Sequence, residues 1–135
     1  FTGWLDAEQM AGWYRQADIL VVPSWYEPFG MVVLEGMLHG LAVAAADVGG
    51  PAEILTHQVT GLLFPPRNVA LLADAVLQLV SSPPLRHRLG RAGHHEVHRT
   101  WAWPRIMHRM LRVYEELTPV TGTLDLTRPH RMEAW

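Results

Sequence analysis

The sequence predicts an α/β domain built on a mostly parallel sheet. Three observations carry that expectation. Short apolar runs, Asp18–Pro23, Leu41–Ala46 and Gly61–Phe64, alternate with longer segments of helical periodicity, and strands alternating with helices fold as parallel sheets covered by helices. Within the runs the apolar residues are continuous rather than alternating, as in strands buried on both faces. Finally, 135 residues with 49% hydrophobic content suit one compact domain with one core.

Taken in order, Phe1-Thr2-Gly3 has the character of a strand end, and Asp6 caps a predicted helix to about Gln16, with Met10, Trp13, Tyr14 and Ala17 on one face. Asp18 to Val22 is a strand stopped by Pro23; Ser24 to Phe29 form a loop; Gly30 to His39 read as a helix closed by Gly40. Leu41 to Ala46 is a second strand, Asp47-Val48-Gly49-Gly50 a glycine-rich turn, and Pro51 with Glu53 begins a short helix, proline suiting the first helical position. Gly61 to Phe64 is a third strand, ended by Pro65-Pro66. Asn68 caps a helix to about Val80, in which Leu71, Leu72, Ala75, Val76 and Leu79 recur at helical spacing. An Arg- and His-rich helix follows Pro83-Pro84. Thr100 to Pro104 open a last helix with an apolar stripe of Ile106, Met107, Met110, Val113, Tyr114 and Leu117. Beyond Thr118-Pro119 the periodicity ends, so 1–117 is read as the domain and 118–135 as a tail or linker. Three or four strands are few for a doubly wound sheet, and the chain opens without an initiator Met; both suggest a longer parent whose first βα units lie upstream.

Composition narrows the function. Eleven basic residues against 13 acidic ones leave no polyanion-binding surface, so nucleic acid is not an expected partner and any phosphate must be held locally. The absence of cysteine removes disulfides, thiolate zinc sites and cysteine nucleophiles together, and fits the cytoplasm as location. No apolar run reaches the roughly 18 to 20 residues of a membrane span, and no signal peptide is legible.

Ligands of open α/β sheets bind beyond the C-terminal strand ends. Two such places occur. In Ser24-Trp25-Tyr26-Glu27-Pro28-Phe29-Gly30-Met31, Gly30 lets backbone approach a ligand, and N–H groups from about Gly30 to Val33 are expected to face an anion. Glu35 lies about 7 Å further along the axis at 1.5 Å per residue, where a carboxylate can accept hydrogen bonds from hydroxyls beside a phosphate. Glu27, before the turn, is placed to meet a sugar. The plainer alternative is a solvated loop charge that favours the helix dipole. The second place, Asp47-Val48-Gly49-Gly50-Pro51-Ala52-Glu53, reads equally as a tight βα loop.

Glu27 and Glu35, separated by seven residues within Pro23 to Gly36, resemble the EX7E motif of GT-B fold retaining glycosyltransferases, the large GT4-like glycosyltransferase group 1 family. The similarity continues through Ala17 to Val22, Gly40, Val48-Gly49-Gly50, Glu53-Ile54, Thr60 to Leu63, Leu85-Arg86 and Trp103 to Tyr114-Glu115. It spans about residues 1 to 117. The resemblance implies a Rossmann-like sheet flanked by helices, the C-terminal half of a GT-B fold truncated at its N-terminus. It also implies a donor substrate, a UDP-, GDP- or ADP-sugar, bound with no metal or other cofactor. Glu35 would bind the nucleotide ribose and Glu27 would act at the transferred sugar and its leaving phosphate. The N–H groups of Phe29 and Gly30 would hold sugar hydroxyls, and those of Met31 and Val32 the diphosphate. The full-length parent would then be a hexosyltransferase. The family's Arg and Lys on the diphosphate come from earlier loops that this chain does not contain, so the chain alone is expected to be inactive. The acceptor, and any peripheral membrane association, would belong to the missing N-terminal domain, against which Met107 and Met110 would face. Leu41 departs from the family's common Pro after the glycine.

Two other classes stay open: a non-catalytic nucleotide-sugar-binding module, and another GT-B enzyme such as a sugar-nucleotide epimerase or a phosphorylase. The eight histidines invite a metal reading at His94-His95-Glu96-Val97-His98. The zincin pattern needs two residues between Glu and the second His, and here there is one, so a solvated helix face is expected. Ser24 lacks a G-x-S-x-G setting. Arg86, Arg88 and Arg91 read as exposed helix charges.

Overall fold

A computed structural model of the chain describes residues 1–117; the tail or linker expected at 118–135 lies outside the described residues. Strands β1 (Ile19–Val22), β2 (Ala42–Ala46) and β3 (Leu62–Phe64) form a parallel sheet in the order β1-β2-β3. Ile19 lies opposite Ala42, and Ala44 opposite Leu62. The helices are α1 (Ala7–Gln16), α2 (Met31–Leu38), α3 (Gly49–Ile54), α4 (Val69–Ser81) and α5 (Pro83–Glu96), the last continued by a π-helical turn, Val97–Trp101.

The sheet is covered on both sides, as its unbroken apolar runs require. Every residue of β2 is buried. Alternate β2 side chains serve opposite faces: Val43 and Ala45 join Val22, Val33, Met37, Ile54, Leu55 and Val97, whereas Ala42, Ala44 and Ala46 join Leu62, Phe64, Ala75, Leu79 and Leu89. The small alanines let helices pack close on the second face. Gly36 does the same on the first, since a Cβ there would come within 2.4 Å of Leu20 Cδ2.

Local chemistry sets the helix ends. Asp6 and Gln9 form a reciprocal capping box at α1, each side chain accepting the other's backbone N–H at 2.8 and 3.0 Å. Asn68 accepts the Leu71 N–H at the start of α4. Gly40, with φ +75°, closes α2: its N–H donates to Met37 O and that of Leu41 to Gly36 O, the double bond of a Schellman ending.

Three expectations change. Phe1 to Gly3 carry no strand, because a strand end needs a neighbour to pair with and none of the described residues supplies one. Helix α3 begins at Gly49, with Val48 as its N-cap, so the glycine pair lies in the first turn and Pro51 stands third rather than first. The last helix opens at Trp103 rather than Thr100, because Thr100 and Trp101 still belong to the Arg/His-rich helix. At Val97–Trp101 that helix widens to a π turn that places Val97 in the core with Trp101 against it. Glu96 anchors that turn, accepting from Thr100 Oγ1 at 2.7 Å and from Arg99. Burial alone would raise its pKa, but these hydrogen bonds and the Arg99 charge together hold it below the usual value.

A second compact unit begins at Trp103. Its described part is helix α6 (Trp103–Leu117), an amphipathic helix with no buried residue.

Packing of α5 on the Gly40 turn predicts a contrast between two glycines. A Cβ on Gly90 would lie 2.1 Å from Gly40 O, whereas one on Gly12 meets nothing within 4 Å. Gly90→Ala should therefore lower unfolding free energy by about 1–3 kcal/mol. Gly12→Ala, inside α1, should raise it by roughly 0.5–1 kcal/mol. Urea unfolding midpoints read both; equal shifts would contradict the packing described.

Candidate donor site at the strand ends

All three strands point the same way, so the loops 23–30, 47–48 and 65–68 share one edge of the sheet. The first two are locked together through backbone. Gly50 N–H donates to Glu27 O at 2.9 Å. A Cβ on Gly49 would sit 2.2 Å from Glu27 O, and one on Gly50 1.9 Å from Phe29 O. Gly49 also has φ +53°, so a side chain is excluded there by both space and conformation. The glycine pair is therefore a seat for the Glu27–Gly30 loop as well as a tight turn. Gly30, with φ +86°, turns that loop into α2 beneath Ile54 and Pro51.

At the α2 start the expected run of free N–H groups is shorter than the sequence suggests. Gly30 N–H is taken by Glu27 Oε1 at 3.0 Å, and Val33 N–H by Gly30 O at 3.0 Å. The N–H groups of Phe29, Met31 and Val32 have no acceptor among the described residues. Helical geometry leaves the early N–H groups unpaired, and the helix dipole makes that end attractive to an anion. The side chains of Phe29, Met31 and Val32 are exposed, and Glu27 is half-buried beside them.

Glu35 faces α1. Its Oε2 accepts a 2.9 Å hydrogen bond from the Tyr14 hydroxyl. Tyr14 is 6% exposed and stacks on the His39 ring at 5.1 Å between centroids, while His39 Nδ1 lies 2.8 Å from Glu35 O. A cavity of about 220 Å³ opens here, lined by Asp6, Met10, Tyr14, Glu35 and His39 among others. Glu27 and Glu35 thus bracket the α2 start, and neither is in an ion pair among the described residues. Sequence reasoning placed Tyr14 on the apolar face of α1 and missed its role. The available signal was chemical: a tyrosine on a buried face needs an acceptor for its hydroxyl.

Across the edge, the Arg67 guanidinium lies 4.9 Å from the centre of the exposed Trp25 ring, a cation–π contact joining the first and third loops. The rings of His94 and His98, both exposed, meet edge-on at 4.6 Å. No group of three or more His, Cys, Asp or Glu among the described residues is arranged to hold a metal ion, and no described helix is long and apolar enough to cross a membrane.

A parallel sheet clad on both faces, with a glycine-seated loop feeding a helix at its C-terminal edge, is a Rossmann-like arrangement, and the solved structures it resembles are GT-B glycosyltransferases that it covers in part. Residues 1–96 match the family of glycosyl transferases group 1. The chain belongs to that family. It is 33% identical over 122 residues to an uncharacterized glycosyltransferase, MJ1607, of Methanocaldococcus jannaschii, covering 90% of this chain and 31% of the relative. Among solved structures it resembles the sucrose-phosphate synthase of Thermosynechococcus elongatus at 38% identity and TM-score 0.79, over 87% of this chain and 29% of the other. The fold also matches HepE of Anabaena in complex with UDP-glucose, at 23% identity and TM-score 0.64, over 80% of this chain and 29% of that one. The chain spans about a third of the length of MJ1607.

The Tyr14 environment predicts an alkaline signature. Burial, then the hydrogen bond to Glu35 and its charge, push the phenol from 10.0 up to about 12. The folded state therefore holds a proton that the unfolded state loses first, so folding stability should fall as pH rises from 10 toward 12. In Tyr14→Phe that alkaline loss should be reduced, as followed by unfolding midpoints against pH. An unchanged slope would contradict the bond.

Proposed function

We propose that the chain is the donor-binding half of a retaining glycosyltransferase that transfers a hexose from a UDP-, GDP- or ADP-sugar to an acceptor hydroxyl. The observation that carries the reading is the α2 start: the free N–H groups of Met31 and Val32 stand between Glu27 and Glu35. Family membership supports glycosyl transfer, and the UDP-glucose bound to HepE supports a nucleotide-sugar donor.

In this reading the diphosphate sits on the Met31 and Val32 N–H groups, which stabilise charge where it grows as the leaving group departs. Glu35 accepts from the ribose hydroxyls. Glu27 lies at the sugar, where the N–H groups of Phe29 and Gly30 meet its hydroxyls. Gly30 N–H now donates to Glu27, so a sugar hydroxyl there must share that donor or displace the carboxylate. The acceptor oxygen bonds to the anomeric carbon on the face from which the diphosphate oxygen leaves, and its proton passes to the departing phosphate. Configuration is thereby retained. The acceptor is held by a further domain of the longer protein, and neither glutamate acts as a nucleophile. The domain's contribution is placement and charge stabilisation.

The test uses the full-length protein that carries this chain. Glu35→Ala should weaken donor binding roughly ten- to hundredfold, the worth of a hydrogen bond to a charged group. Glu27→Ala should lower kcat by about a hundredfold or more with a smaller change in donor affinity. Steady-state kinetics with labelled nucleotide sugars measure both, and the anomeric configuration of the product reads retention. Unchanged kinetics in both variants would remove the reading's support.

A further inference from the structure

We infer that Tyr14 is a positioning residue for the donor, holding the Glu35 carboxylate so that one of its oxygens stays open to the nucleotide's sugar hydroxyls. The inference rests on the proposed role of Glu35 and goes beyond it by naming what fixes that carboxylate.

Glu35 is a half-buried acid with three torsions on an eight-residue helix. Left alone it would sample several rotamers, and each ligand bond would have to overcome that freedom. Tyr14 removes much of it. Its hydroxyl donates to Oε2 at 2.9 Å, while no described residue occupies Oε1. A carboxylate held through one oxygen presents the other in a fixed direction, beside the cavity of about 220 Å³ between α1 and α2.

The phenol is itself tightly held. Tyr14 is the buried residue of α1, so its ring cannot swing into solvent without exposing apolar surface. Its face is stacked on His39, and His39 is tied back through Nδ1 to the main-chain oxygen of Glu35 itself. The three residues form a closed brace: Tyr14 holds the Glu35 side chain, His39 holds the Tyr14 ring, and the Glu35 backbone holds His39. A tyrosine needed only for packing would not require an acidic acceptor, and phenylalanine would fill the same volume. The site's geometry is thus set from α1, an element that contributes no residue to the Glu27–Glu35 segment.

The experiment is a double-mutant cycle in the full-length protein, with donor KM and kcat measured for Tyr14→Phe, Glu35→Ala and the double variant. Tyr14→Phe should raise donor KM about three- to tenfold, the scale of one ordinary hydrogen bond and less than the loss of Glu35 itself because the carboxylate remains, and leave kcat within twofold. It should also narrow the preference for a ribose over a 2′-deoxyribose donor, a readout that a packing defect would not move. In the Glu35→Ala background the Tyr14 change should add little. Full additivity of the two changes, or an unaltered ribose preference in Tyr14→Phe, would overturn the inference while leaving the Glu35 reading intact. If Glu35→Ala alone leaves donor KM and ribose preference unchanged, the underlying reading fails first. Should Tyr14→Phe unfold the protein, His39→Ala, which loosens the brace from its exposed side, should shift the ribose preference in the same direction; no shift would count against the brace.

Discussion

Two main-chain oxygens govern the shape of the loops at the C-terminal edge of this sheet. Glu27 O and Phe29 O press against Gly49 and Gly50 so closely that neither glycine has room for a Cβ. The bond from Gly50 N–H to Glu27 O pins the same contact. A loop lying on another loop's backbone gains little apolar burial, so its position depends on shape and hydrogen bonding. The seat explains why α3 starts two residues earlier than its proline suggests. The glycines must be in the helix's first turn to offer both a free N–H and a bare surface, and Pro51, lacking an N–H, tolerates the third position because early helical donors are unpaired there anyway. With the loop fixed, Gly30 can turn into α2 at positive φ, and the placement of Glu27, Met31, Val32 and Glu35 follows from helix geometry.

The layered core is what makes the edge rigid enough to matter. β2 is buried on both faces, and its alanines and valine bring α2 and α5 close on either side. Helix α2 in turn lies against Leu20 through Gly36 and ends sharply at Gly40, whose oxygen abuts Gly90 of α5. The eight residues of α2 are therefore held at the N-terminus by the glycine seat, along one face by the sheet, and at the C-terminus by α5. So short a helix needs that support, since eight residues would not stay helical alone.

Sequence patterning exposed the parts of this arrangement that rest on local rules. Apolar runs closed by Pro23 or Pro65 gave the strands, and Asp6, Asn68 and Gly40 marked helix ends, because each acts on residues within about one turn of itself. The glutamate pair was visible for the same reason: its spacing is internal to one loop and one helix. What stayed hidden involves partners far apart in the chain. The Tyr14–Glu35 bond spans 21 positions, and the Gly49 and Gly50 contacts join two separate βα loops. The π turn at Val97–Trp101 was missed because helical periodicity barely changes when one residue is inserted, although it decides that Val97 and Trp101 both meet the core. Pairing of Gly30 N–H by Glu27 was likewise beyond a rule that counts unpaired donors without placing side chains.

Charge gives the last step. The α2 start offers backbone dipoles to an anion, but its two flanking side chains are both acids, and neither is neutralised by a cation among the described residues. Without a bound anion the arrangement is self-consistent, since Glu27 itself occupies the Gly30 N–H and favours the positive end of the helix. A diphosphate brought to the same place would meet that carboxylate as a like charge at short range, where screening by salt is weak. Under the proposed function, then, the donor has to share the Gly30 N–H with Glu27 or displace that carboxylate, and its binding needs positive charge from outside the turn. Arg67 is a cation at this edge, but its guanidinium is engaged on Trp25. Glu35 escapes the conflict because Tyr14 already disperses part of its charge and turns it toward α1. In that reading the two acids differ in role for a physical reason: Glu27 would compete with the donor for a backbone N–H, and Glu35 would be held in place to receive it.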